Sequence, residues 1–382
     1  MNRTACVLAA SLAFSASFAI AQTSKPVAYI YVSSNYSGAN NRMTGYAASA
    51  DGKLTQIAGS PWADNLSWLA NNGTYLYGST NIASDNGRNV FSYRIASNGA
   101  LRYLGATNIQ KTGADNACNR AASLTFDHTG SFLYVLAQEA DCNPYGAYQS
   151  FAVDKGTGKL GYLGETGYVG YYALPLTVLA DNDFAYADNG EEADQMIGYR
   201  KESNGNLVTL NGGVAFPTGG QPSGTNGDFS YAAADTTNHL AEAFVYTDTY
   251  NGAYLVTKIA TVAINTTNGT QSTSSTYANM PATDTQVSAL AMAPSGKLLA
   301  VGGSSGIQIF NFDPSGQATR NTGLITSANI TALFWDNDNH LYAISNADNA
   351  LHVFTVTVNS AEEAPGSPYA IPHPVGLTGH PL

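Results

Sequence analysis

Residues 121–163 read AASLTFDHTGSFLYVLAQEADCNPYGAYQSFAVDKGTGKLGYL. The stretch divides into four runs of alternating, β-branched or aromatic residues: AASLTFDH, SFLYVLA, AYQSFAVD and KLGYL. Turn residues separate them. Side chains of a strand point alternately to two faces, so runs of this kind bounded by Gly, Asp and Asn read as four short antiparallel strands, a to d.

The same unit recurs along the chain. Strand b appears as YIYVSSN around Tyr31, YLYGSTN around Tyr77, FLYVLAQ around Tyr134 and FAYADNG around Tyr186. It returns as FVYTDT around Tyr246, LLAVGGS around Ala300 and LYAISN around Tyr342. Strand c carries a large apolar residue at a matched place: Tyr46, Tyr93, Phe151, Tyr199, Phe310 and Phe354, with Val262 in the divergent fifth unit. Strand d opens on a turn, as in GKLTQIAGSPW (52–62) and GKLGYLG (158–164). The Gly59-Ser60-Pro61 of the first unit returns as Gly366-Ser367-Pro368 in the last, each followed by an aromatic. A repeat of this period is the signature of a β-propeller.

Strand a settles the closure. It precedes strand b in units two to seven, from LSWLAN (66–71) to ITALFW (330–335), and the first unit lacks it. The missing strand is PVGLTGHPL at 374–382. The expectation is an all-β, seven-bladed propeller of four antiparallel strands per blade, its first blade completed by the C-terminal strand. Closing the ring this way removes the open sheet edge on which strands otherwise aggregate.

Residues 1–21 carry one charge, Arg3, and an apolar run that ends in the small-x-small Ala19-Ile20-Ala21. This reads as a cleavable signal peptide, cut after Ala21, and predicts a secreted or periplasmic protein whose propeller domain is 22–382. No later run is long and apolar enough to span a bilayer. The whole chain holds 16 Lys and Arg against 27 Asp and Glu, a net charge of −11, which excludes the basic stripe a nucleic-acid protein needs. The two cysteines beyond the signal, Cys118 and Cys142, are expected to pair as a disulfide in an oxidising compartment. A monomer is expected.

Charges are only 11% of residues, so those in loops stand out. Propeller ligands sit at one mouth of the central channel, built by the b-to-c and d-to-a loops. The b-to-c loops supply Arg42, Arg88, Glu139, Glu191, Glu192 and Asp248; Arg120 lies in a d-to-a loop. The arginines present a planar fork of donors suited to a carboxylate, and the acidic residues suit a cationic or hydroxylated ligand. His373, in IPHPVG, is the histidine at this mouth, whereas His128, His239 and His340 fall in the a-to-b turns at the other end. No zinc, calcium-loop, P-loop or dinucleotide pattern is present, so no metal or cofactor is expected.

The YVSSN and YAISN strands, with GYAASADGKLTQIAGSP at 45–61, resemble the YVTN-type propellers and the lactonase family that contains 6-phosphogluconolactonase. The resemblance implies a seven-bladed propeller and, as one activity, hydrolysis of a lactone ring. Lactonases of this family carry an Arg-His pair in strand a and a Glu after strand b. The third blade here places Ala122 and Ser123 at the first two positions and Gln138 at the third, with Arg120 two residues early and Glu139 one late. The leading expectation is therefore a small ligand or protein partner bound at the mouth. The alternative is a lactonase in which Glu139 activates water and Arg120 steadies the developing oxyanion.

The export reading is tested by the intact mass of the protein recovered outside the cytoplasm. Removal of residues 1–21 is expected, and a further loss of two hydrogens that reductant restores. A full-length mass overturns the first expectation, and a mass unmoved by reductant the second.

Overall fold

A computed structural model describes residues 25–35, 41–63, 66–80, 85–110, 120–138, 146–167, 175–188, 196–210 and 223–382. The signal segment, Cys118, Cys142, Glu139, Glu191 and Glu192 lie outside the described residues. Seven antiparallel sheets follow one another along the chain. Blade 3 shows the pattern in full, with strand a at Arg120–Phe126, b at Phe132–Gln138, c at Gly146–Val153 and d at Leu160–Glu165. The C-terminal strand, Pro374–Pro381, pairs antiparallel with Ala28–Ser34 and supplies the inner strand of blade 1. Each blade's strand a touches those of its two neighbours in a closed circle, so the ring is complete. No described helix is long and apolar enough to cross a membrane.

The recurring aromatic-x-Tyr of strand b clasps blades 1, 2 and 4 to the blade that follows, whereas in blade 3 Phe132 covers Gly205 but the buried Tyr134 hydroxyl has no hydrogen-bond partner among the described residues. Tyr31 donates its hydroxyl to the Gly99 carbonyl at 2.8 Å, Tyr77 to Gly158 at 2.8 Å and Tyr186 to Gly269 at 2.6 Å. Each glycine sits in the c-to-d turn of the following blade, at φ between 71° and 78°. The first aromatic of the motif covers the same glycine. A Cβ on Gly158 would stand 2.6 Å from Tyr75 Cδ1, and one on Gly269 2.7 Å from Phe184 Cδ1. Glycine is needed both for the left-handed backbone and for the close approach.

At the seam between blades 7 and 1 a histidine takes the aromatic place. His340 lies against Gly52, while its Nδ1 bonds Asp336 at 2.8 Å and the Tyr342 hydroxyl donates to the same carboxylate at 2.8 Å. His340 is buried as the first residue of strand b rather than lying in the turn before it, and His239 likewise opens strand b of blade 5. The pair holds the imidazole above its ordinary pKa against the opposing effect of burial, and Asp336 below its own.

Where the ladder between strands c and d is interrupted, a hydroxyl from the strand d side accepts the strand c N–H. Ser60 Oγ accepts from Gly45 and Ser367 Oγ from Val353, which explains the serine of both Gly-Ser-Pro sequences. Thr322 Oγ1 accepts from Ile309 and Ser275 Oγ from Thr261 in blades 6 and 5. These caps fix the register between blades. The capped residue lies opposite Tyr31, Tyr342 and Ala300 in blades 1, 7 and 6, and opposite Ala241 in blade 5. The strand b residue equivalent to the tyrosines is therefore Ala241, not Tyr246. Strand b of blade 5 runs from His239 to Asp248 and is longer than its counterparts, so its Phe244-Val245-Tyr246 imitates the motif nearer the mouth. In blade 4, strand a is only Thr177–Val178.

Gly158→Ala and Gly59→Ala both place a side chain at positive φ, but Gly59 has no atom within 4 Å of a built Cβ. Gly59→Ala should cost about 1–2 kcal/mol from backbone strain, and Gly158→Ala roughly 1–3 kcal/mol more from overpacking. Urea denaturation of both variants measures this, and equal losses would remove the clasp as a stabilising contact.

Candidate functional site

The two ends of the ring spend their polar groups differently. At the a-to-b end, each turn aspartate serves its own backbone. Asp127 accepts N–H bonds from Ser131 and Phe132, Asp235 from Thr237 and His239, and Asp336 from Asp338 and His340. A cavity of about 330 Å³ at this end is lined by Asp127, His128 and His380, but the Asp127 carboxylate is further engaged by Asn182 and Lys201.

The mouth carries the residues singled out from the sequence, and it does not gather them at one point. Arg120 opens strand a of blade 3, and its Nη2 donates to Gln138 Oε1 at 3.3 Å. Arg88 ends a single 3₁₀ turn, Asp85–Arg88, packed against that same strand. Asp248 ends strand b of blade 5, where its Oδ1 accepts the N–H groups of Tyr250 and Asn251 and so shapes the following turn. His373 has φ 44°, donates its N–H to Asn349 Oδ1 and accepts the Asn35 N–H on its carbonyl. Its backbone pins the chain where blade 7 passes into blade 1. No group of three or more His, Cys, Asp or Glu side chains suited to a metal occurs among the described residues.

Two buried amides escaped the sequence reading. Gln149 and Gln308 occupy the same register in strand c of blades 3 and 6, opposite Val135 and Val301. Gln149 accepts the Gln110 N–H and returns a bond to the Gln110 carbonyl, both at 2.8 Å. Gln308 accepts the Asp284 N–H at 2.9 Å and donates to Asp284 Oδ2 at 3.2 Å. Each fastens a d-to-a loop to the blade. The signal was an amide inside an otherwise apolar strand.

Arg42 stands apart. It opens strand c of blade 1, Arg42–Ala48, and period-two alternation puts Arg42, Thr44 and Tyr46 on the face toward blade 7. Those three side chains, with Ser34 and Gln56, form one wall of an interblade cleft of about 610 Å³. Pro61, Ile371 and Pro372 supply its apolar lining. Arg42 is exposed, and its side chain makes no hydrogen bond or ion pair with a described residue. The cleft size lies within the range of small-molecule sites.

A further group lies between blades 4 and 5. Glu242 is 0% exposed, and neither carboxylate oxygen has a hydrogen-bond partner. It shares its strand face with Leu240 and Phe244, which pack with Tyr186 and Met196 of blade 4. Five of the six other blades put Val or Ala at this register: Val32, Val135, Ala187, Val301 and Ala343. Burial, reinforced by the Asp188 carboxylate, pushes Glu242 up to about 8.

The fold is that of the lactonase-like propellers. A candidate 6-phosphogluconolactonase from Bacteroides fragilis is 15% identical, with a TM-score of 0.63 over 94% of this chain and 99% of that one. A second, from Bacteroides uniformis, is 13% identical with a TM-score of 0.63 over 92% and 99%. A protein from Lactobacillus plantarum is 12% identical with a TM-score of 0.68 over 92% and 99%. At these identities the likeness is one of fold. No protein-family model matches the sequence, and no curated protein sequence matches it.

Glu242 gives stability a pH dependence. The folded protein keeps this proton up to about pH 8, whereas the unfolded chain loses it near pH ~4.3. Folding therefore binds a proton between these values, and this group's contribution falls as pH rises through the window and levels above it. Glu242→Gln and Glu242→Leu should flatten the fall in melting temperature between about pH 5 and 8. An unchanged slope in both variants would exclude Glu242 as its source.

Proposed function

We propose that this chain is an exported propeller that binds a small ligand at the mouth end of the ring without hydrolysing it. The observation that carries this reading is the Arg120–Gln138 hydrogen bond. Gln138 stands where the lactonase pattern has a glutamate. An amide accepts a hydrogen bond but does not take up a proton at neutral pH, so the pair orients a ligand without supplying a general base. The leader-like residues 1–21 support export.

The alternative is lactone hydrolysis, supported by the fold shared with candidate 6-phosphogluconolactonases. It assigns water activation to Glu139 and oxyanion stabilisation to Arg120. Purified protein assayed against δ-gluconolactone and a panel of γ- and δ-lactones is expected to give no turnover above the buffer rate. Turnover abolished by Arg120→Ala and by Glu139→Ala would overturn the binding reading in favour of the hydrolase.

A further inference from the structure

The geometry points to the cleft between blades 7 and 1 as a binding site for a carboxylic acid borne on a hydroxylated ring, with Arg42 receiving the carboxylate. The inference rests on the reading of the protein as a ligand binder, sets the ligand in this cleft rather than beside the Arg120–Gln138 pair, and adds the chemistry.

The cleft lies beside the two Gly-Ser-Pro breaks, and Pro61 of the first lines it. In blade 1 the outer strand is split into Leu54–Gln56 and Trp62–Ala63, and in blade 7 into Ala361–Glu363 and Tyr369–Ala370. The serine in each break caps strand c, and the chain then returns as a second short outer strand. Pro61, from the break in blade 1, and Ala370, from the returning strand of blade 7, line the cleft. The blades with interrupted outer strands are neighbours across the ring seam, and the space opens between them.

Its lining is two-sided. One wall carries the Ser34 and Thr44 hydroxyls, the Tyr46 phenol and the amide oxygen of Gln56, whose Nε2 donates to the Ser60 carbonyl, and these suit the hydroxyls of a ring edge. Pro61, Ile371 and Pro372 offer apolar surface for a ring face. Charge fixes the remaining group. Arg42 is the charged residue among the described lining and engages no carboxylate of its own, in a chain of net charge −11. A guanidinium with its donors open pairs bidentately with a carboxylate. A volume of about 610 Å³ accommodates one or two rings.

Calorimetric titration with two ring acids, digalacturonate and ferulate, tests this against the uncharged cellobiose and methyl ferulate. At least one acid is expected to bind, tenfold or more tightly than its uncharged counterpart, and to weaken as salt is raised. Whichever acid binds identifies the ring as sugar or phenol. Arg42→Gln should lose that preference, and Arg42→Lys should recover only part of it because the planar fork is gone. Arg42 is exposed, so these variants should fold as the wild type, which their melting temperatures check. Equal binding of acid and uncharged counterpart, an unchanged affinity in Arg42→Gln, or no binding of either acid would overturn the assignment. Binding lost in Arg120→Ala but kept in Arg42→Gln would place the ligand at the axial mouth, overturning the cleft and leaving the binding reading intact. Lactone turnover would do the reverse.

Discussion

A tyrosine hydroxyl reaching a glycine carbonyl in the next blade ties blade 1 to 2, 2 to 3 and 4 to 5, and is the contact from which the other interfaces depart. It works in two parts. The first aromatic of the strand b motif lies on the glycine where no Cβ stands, and the tyrosine two residues later donates to that residue's carbonyl, as Tyr75 and Tyr77 do at Gly158. Two residues on a strand share a face, so both groups are delivered to the same neighbour by one periodicity. The buried hydroxyl is satisfied and the turn carbonyl is occupied, which avoids the cost of leaving either unpaired. One short sequence thus sets strand face, blade spacing and turn conformation together.

Blade 3 keeps the covering aromatic, Phe132 on Gly205, without the tyrosine bond, and the other departures occur where the ring changes character. Blades 5 and 6 carry Ala241 and Ala300 in the tyrosine place, and their interface fills with Phe310 and Phe312 packed on Ala243 and Ile259. Blade 5 also has the longest strands, and the tip of its b-to-c hairpin carries Tyr250 at 97% exposure. The unpartnered Glu242 lies in the same blade. A blade without its clasp, with extended strands and a buried acid, departs furthest from the repeat. At the seam, His340 replaces the apolar aromatic and brings Asp336 and Tyr342 into one hydrogen-bonded set.

Seven blades and the closing strand were legible because both depend on period-two alternation and a repeated local motif. The register of blade 5 was not. Phe244-Val245-Tyr246 satisfies the motif as text, and only the pairing of Ala241 with Thr261 shows that it lies five residues too far along. The turn residues of DNDNH place His340 in the a-to-b turn, yet its bond to Asp336 lets it start the strand that follows. The charged candidates were identifiable singly, since charge is sparse, but their grouping was not. Arg120 and Arg88 converge on one strand, whereas Asp248 turns inward to cap its own loop. The cleft was illegible for a simpler reason: its walls come from opposite ends of the chain and meet only because the C-terminal strand closes blade 1.

That closure gives the seam its chemical distinction. Elsewhere adjacent blades are consecutive in sequence and join through one d-to-a loop. At the seam the last outer strand passes through Ile371, Pro372 and His373 into an inner strand that pairs with the first residues of the described fold. His373 adopts a left-handed backbone and is tied to Asn349 and Asn35, so the passage is held at both of the blades it joins. A site on so fixed a segment keeps its shape without paying to order a loop on binding. The six other interfaces lack a facing pair of Gly-Ser-Pro breaks. Ring closure and ligand cleft therefore share one physical origin, the junction where the chain's two ends complete a single blade.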